Sequence, residues 1–271
     1  EAEIGWNDKL GKVGYSISGN ISDFHSKMGD LGGTEFIGDQ IKKKGSEFNE
    51  WYGYLSEGLF QTADDLAASA KLGSNQKVGD VKYKDLSGPD GVPDGKISPE
   101  YDRKLLGGSL PRYLFGANLK LDYNNFDFSL VLQGVGFQNT RLSGIMITPL
   151  IANWGHMPKI IDGTSWSKYN SDEQNLAAKY PRLTYTNQGV NYAMSDYWLI
   201  NGGYLRLKNI TLGYNLPASL TQKVNLKKVR IYGSASDLFT LDNYPKGWDP
   251  EVAQSGYPIT ASYIFGLSVT F

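Results

Sequence analysis

The stretch DLSGPDGVPDGKISPEYD, residues 85–102, gathers the densest set of oxygen donors in this chain. Asp85, Ser87, Asp90 and Asp94 offer oxygen ligands at close spacing, Gly95 permits a sharp turn, Ile97 can anchor the loop, and Asp102 can close it. A calcium ion takes about 6 to 8 oxygens, and an EF-type loop supplies them within about 12 residues. Here Ser87-Gly88-Pro89 and an extra residue before Asp102 break that spacing, and no Glu stands at the twelfth position of either frame. The competing reading is an Asp/Gly turn whose carboxylates cap backbone amides, and the broken spacing favours it.

A second set of residues suited to binding is aromatic. Trp154, Trp166, Tyr169 and Trp248 stand in long polar segments, as do Trp51, Tyr197 and Trp198. Such side chains offer large rigid faces to sugar rings, to peptides or to a partner protein. Packing within the loops, or anchoring at a membrane interface, is the alternative use. Catalysis finds no support. The two histidines, His25 and His156, lie far apart without a nucleophile motif, and metalloprotease, P-loop and dinucleotide-binding patterns are missing. Asp64 and Asp65 read as solvated charges rather than a glycosidase pair. With no cysteine, thiolate chemistry and disulfides are excluded, so no enzyme is expected and calcium is the one candidate cofactor.

The elements that must hold these residues are strands. The closing stretch SYIFGLSVTF puts Tyr263, Phe265, Leu267, Val269 and Phe271 on one face. FGANLKLDY and FDFSLVLQGVG alternate in the same way around Asn124-Asn125 and predict a hairpin. EAEIGW and VGYSISGNISD flank an NDKLGK turn, YLRLKNITLGYNL pairs with VRIYGSASDLF, and SYIFGLSVTF completes a count of seven strands. Between them, very short connections alternate with very long ones, from about Lys27 to Leu110, from about Asn139 to Asn201, and around DNYPKGWDPEVAQSGYP. The first long stretch carries one short helical segment, DDLAASAKL.

That rhythm is the pattern of outer-membrane barrels, with short turns on one side and long extracellular loops on the other. A formal net charge of -1 gives no basic excess for nucleic acid, and no apolar run is long enough for a helical span. One strand raises a difficulty. In YLRLKNITLGY the parity that sends Ile210, Leu212 and Tyr214 to lipid also sends Arg206 and Lys208 there. A basic residue at the bilayer midplane costs about 2 to 4 kcal/mol. A bulge near Asn209 would reverse the parity; placement of the basic pair at head-group level is the reading preferred from sequence.

Longer motifs carry a family resemblance. GDVKYKDLSGPDGVPDGKI, the following YDRKLLGGSLPRYLFGANLKLDYNNFDFSLVLQGVG, YPRL, YLRLKNITLGYNLP, DLFTL, GWDPEV and the terminal FGLSVTF occur in the order found in TonB-dependent outer-membrane transporters of the SusC/RagA family, which the chain resembles over nearly its whole length. The resemblance implies an all-β fold: residues 1–271 would be the C-terminal portion, about seven antiparallel strands, of a 22-stranded barrel whose plug and N-terminal domains lie outside this stretch. It implies a Gram-negative outer-membrane location and import of oligosaccharides or peptides. The implied partners are a SusD-like surface lipoprotein lid, TonB through the missing N-terminal part, outer-membrane lipid and the remainder of the barrel. The terminal strand ending on Phe271 resembles the signal read by barrel-assembly machinery. A non-transporting surface binder or adhesin is the alternative.

Overall fold

Strict alternation of apolar with small or polar residues builds the longest elements of the fold. Among the described residues of this computed structural model, 1–144, 147–150, 157–186, 188–252 and 256–271, seven long antiparallel strands, joined by the short strand Thr240–Asp242 along Tyr204–Arg206, form one sheet. These are β1 (Ala2–Leu10), β2 (Val13–Ser22), β3 (Arg112–Tyr123), β4 (Phe126–Phe137), β5 (Tyr204–Asn215), β6 (Lys228–Ser236) and β7 (Ser262–Thr270). Each pairs with the strand before it in the chain, so connections alternate between the two ends of the sheet. Residues 11–12, 124–125 and 216–227 turn at one end, and residues 23–111, 138–203 and 237–261 connect at the other. The expected NDKLGK turn shrinks to two residues. Gly11 and Asn124 adopt φ of 62° and 53°, the left-handed conformation that a two-residue hairpin requires, so β1 continues to Leu10.

Register sorts the side chains into two faces. One row across all seven strands reads Trp6, Ile17, Leu119, Leu130, Ile210, Ala235 and Tyr263, each opposite the next. The adjacent row reads Asn7, Ser16, Lys120, Ser129, Thr211, Ser234 and Ile264, polar until its last member. Side chains one residue apart point to opposite faces, so a single register makes one face of the sheet apolar and the other hydrophilic. Phe265 on the apolar face is 88% exposed within this chain. Among the described residues no helix is long and apolar enough to cross a membrane, while strands of 9 to 12 residues match the length that a tilted strand needs.

The basic pair in β5 is handled by a bulge. Val131 faces Asn209 but Leu132 faces Leu207, which leaves Lys208 as the extra residue. The parity reverses there, so Leu207 joins the apolar face and Arg206, opposite Gln133, joins the polar one. This corrects the preferred expectation of head-group placement: the chain removes the conflict by its own register.

Contacts divide the chain into two compact units. The first, residues 1–24, 111–138 and 201–271, holds the long sheet. The second, residues 25–110 and 139–200, contains short elements in place of plain loops. Phe36–Ile37, Gln40–Lys42, Glu50–Tyr54 and Arg103–Gly107 form a small antiparallel sheet, and the expected short helix spans Ala63–Ala68 behind a Thr62 cap. Tyr54, Leu59, Val81, Tyr83 and Ile97 form its buried cluster.

Candidate functional site

The terminal strand does what its alternation predicts. Tyr263, Phe265, Leu267 and Val269 stand opposite Ala235, Gly233, Ile231 and Val229, all on the apolar face, and Phe271 follows with an exposed ring. The opposite face carries an ordered polar lattice. Asn209 donates to Ser234 and Ser236, Thr211 meets Ser234 at 2.8 Å, and Arg230 binds Asp127 in a bidentate pair. A polar wall of this kind suits the lumen of a barrel, and an apolar one suits lipid.

The Asp-rich loop uses its carboxylates as amide acceptors. Fully buried Asp102 accepts from the amides of Leu86 at 2.7 Å, Ser87 at 3.2 Å and Ser98 at 2.7 Å. Asp85 accepts from the Gly95 amide at 2.6 Å, and Asp94 from Lys96 at 2.9 Å. Gly88 lets Asp94 pack tightly, since a Cβ there would lie 2.7 Å from that of Asp94. Asp90 is exposed on the turn, and among the described residues no three acidic, histidine or cysteine side chains gather at metal-binding distance. These bonds are the geometry of the turn reading; a calcium ion would compete with the amides for the same oxygens.

The aromatic set is dispersed. Trp154 lies outside the described residues, as does His156. Trp166 and Tyr169 come together in the second unit along a groove of about 690 Å³, with Leu66, Lys77, Val78, Lys168, Arg182 and Leu183. Trp248 belongs to the first unit and lines a separate pocket of about 360 Å³ with Arg206 and Asp249.

Each location has a buried ionic support. Beneath the groove, Asp80 is fully buried, accepts from Asn191 at 3.0 Å and from the Lys77 amide at 2.8 Å, and pairs with Arg182 at 2.7 Å. Asn191 in turn accepts from the Val81 amide. Beside Trp248, Arg206 is 3% exposed and binds Thr240 at 2.8 Å, Asp249 at 2.7 Å and Glu251 at 3.3 Å. Lys208 adds contacts to Asp237 at 2.8 Å and Glu251 at 3.2 Å. Burial alone would raise the Asp249 carboxyl, but the Glu251 amide, Arg206 and the Ile259 amide outweigh it and hold it below the ordinary value. Arg182 lies within YPRL and Asp249 within GWDPEV, motifs that by themselves assign neither residue a role. A charged residue close to an aromatic one within each motif was the available signal.

No protein-family profile matches the chain. Over 249 residues, 86% of its length, the chain is 29% identical to TonB-dependent receptor P3 of Formosa agariphila, and over 99% of its length it is 29% identical to TonB-dependent receptor SusC of Bacteroides thetaiotaomicron. The RagAB peptide transporter superposes on 99% of the chain with a TM-score of 0.73 at 19% identity. The chain is SusC/RagA-like. Its fold is an all-β, antiparallel sheet consistent with part of such a barrel, and the match covers 28% of the RagAB chain. It spans about a quarter of the length of its curated relatives.

Proposed function

We propose that this SusC/RagA-like chain forms the closing wall and outer connections of a TonB-dependent importer in a Gram-negative outer membrane. The observation that carries the reading is the seven-strand register, which places an unbroken apolar row on one face and a polar row on the other. The cargo class is an oligosaccharide or peptide, and the partner a SusD-like surface lipoprotein that covers the mouth. The RagAB likeness supports the architecture, and the SusC likeness supports the kind of system. The role is that of a carrier, which the likeness to TonB-dependent receptors supports.

Cysteine accessibility and uptake together test the reading in the membrane-embedded protein. Cysteines at Leu212 and Phe265 should resist a water-soluble maleimide in intact outer membranes, while cysteines at Thr211 and Ser268 should react from the lumen. Uptake of an oligosaccharide or peptide probe should stop when TonB is removed. The opposite labelling pattern would overturn the barrel-wall assignment. Normal labelling and surface binding without TonB-dependent uptake would favour a surface binder or adhesin.

A further inference from the structure

The groove around Trp166 and Tyr169 carries a charge pattern that selects among cargoes, and this inference rests on the importer reading. Its lining contains three basic side chains, Lys77, Lys168 and Arg182, and no carboxylate. Arg182 is already matched by buried Asp80 at 2.7 Å, so its charge is cancelled within the fold. Lys77 and Lys168 remain as positive groups at an exposed rim.

The aromatic platform shares this lining with both lysines. Tyr169 is 85% exposed, and Lys168 Nζ stands 4.9 Å from its ring centroid. Trp166 is held in place from behind: a Cβ at Gly79 would lie 2.3 Å from its ring, so the indole rests on bare backbone. The Trp166 amide donates to Tyr180 O at 2.9 Å, and the Arg182 amide to Gly79 O at 2.8 Å, which ties both sides of the groove to the same framework. The platform is therefore preformed, and a volume of about 690 Å³ falls within the range of small-molecule sites.

Two oligomer classes carry carboxylates, and the backbone separates them. A peptide that binds as an added strand draws its affinity from main-chain hydrogen bonds at an open strand edge. No lining residue belongs to a named strand: Leu66 lies in the Ala63–Ala68 helix, Ser165 makes a single bridge whose partner is Tyr180, and the others lie in turns and loops. A sugar ring needs no such edge, because its apolar face stacks on an exposed aromatic while its substituents reach nearby polar groups. We propose that this groove binds a carboxylate-bearing oligosaccharide, with Tyr169 as the stacking face and Lys77 and Lys168 as the charge-selecting residues.

Titration of the detergent-purified, full-length parent protein with an oligogalacturonate, a neutral galacto-oligosaccharide of equal length and an acidic peptide tests this. The acidic sugar should bind at least about tenfold more tightly than the neutral one. That advantage should fall at about 0.5 M salt, where exposed charges are screened. Lys77→Gln with Lys168→Gln should remove the preference while leaving residual binding, and Tyr169→Ala should weaken both sugars. Equal affinity for the two sugars, preference for the peptide, or no sugar binding by folded protein would overturn the proposal. Because the readout is equilibrium binding, loss of TonB-dependent uptake with binding intact would count against the importer reading instead.

Discussion

At the residue scale, the polar face of the sheet is shaped by glycines that leave room for a neighbouring side chain. A Cβ at Gly266 would lie 2.2 Å from the Tyr232 ring across the β6–β7 pair, and one at Gly213 would lie 2.5 Å from both the Arg230 guanidinium and the Asp127 carboxylate. Tyr232 and the Arg230–Asp127 pair therefore lie flat against bare backbone. Arg230 also sits 4.8 Å from the Tyr232 ring, which links the two contacts. Gly266→Val should displace Tyr232 and destabilise the wall by about 1 to 3 kcal/mol, the usual range for overpacking. Thermal unfolding of the membrane-inserted protein measures this, and unchanged stability would show that the ring swings away freely. Asp102 is a residue of a different kind, since its two oxygens satisfy three amides in a buried turn. Asp102→Asn replaces one acceptor oxygen with a donor facing amide donors, so it should cost about 1 to 3 kcal/mol and expose the 85–102 loop to protease. If calcium instead organises the loop, metal analysis will find the ion, and chelation will reproduce the protease sensitivity in the unmutated protein.

At the element scale, the decisive feature is the single extra residue in β5. Deleting Lys208 alone would close the bulge and leave Arg206 opposite Gln133, whereas deleting Lys208 together with Asn209 would set Leu207 opposite Val131 and carry Arg206 to the apolar face. An arginine on the lipid side costs about 2 to 4 kcal/mol near the midplane and less towards the interface. The double deletion would also strip Asp249, Glu251 and Asp237 of their main cation. Its expected result is a large loss of assembled barrel, and wild-type abundance would refute the role given to the bulge. The same clasp predicts a pH dependence. The Asp249 carboxyl is held below its ordinary value, so its contribution is complete above the usual carboxylate range and is lost as pH falls through the lowered folded value. Protease resistance of residues 246–252 should therefore persist at neutral pH and fail only in strong acid. Alternation made the seven strands legible, because a period of two is a direct trace of a two-faced sheet. The bulge was legible only as a conflict, since Arg206 and Lys208 violated that period without showing how the chain resolves it. The short sheet over residues 36–107 was not legible, because strands of two to five residues are set by tertiary contacts. The groove was hidden for a related reason: Lys77, Lys168 and Arg182 come from separate segments, joined through Asp80 and the Gly79 backbone.

At the scale of the whole molecule, the sheet has two free edges and an uncovered apolar face. β1 and β7 each pair on one side only among the described residues, and the large side chains Ile4, Trp6, Phe265 and Leu267 are each more than half exposed. Backbone groups within a bilayer must all be satisfied, which for a sheet means closure into a ring. In water the same edges and face favour aggregation. Residues 1–271 expressed by themselves without detergent should therefore fail to give a monodisperse monomer, and a soluble monomer that melts cooperatively would argue against a barrel wall. Within the complete protein, the two ends of the sheet should be separable by mutation. Shortening residues 243–247, ahead of Trp248 and with the Arg206 partners Asp249 and Glu251 left in place, changes only a long connection at one end. It should reduce lid association or uptake while surface abundance stays near normal, because β6 and β7 still pair along their full length. Removing Phe271 leaves every loop in place and shortens only the exposed aromatic end of the apolar row. It should lower the amount of assembled protein but leave uptake per assembled molecule unchanged. Surface labelling and uptake measured on both variants distinguish these effects, and a loop deletion that alters abundance alone would show that the connection serves assembly rather than the mouth of the channel.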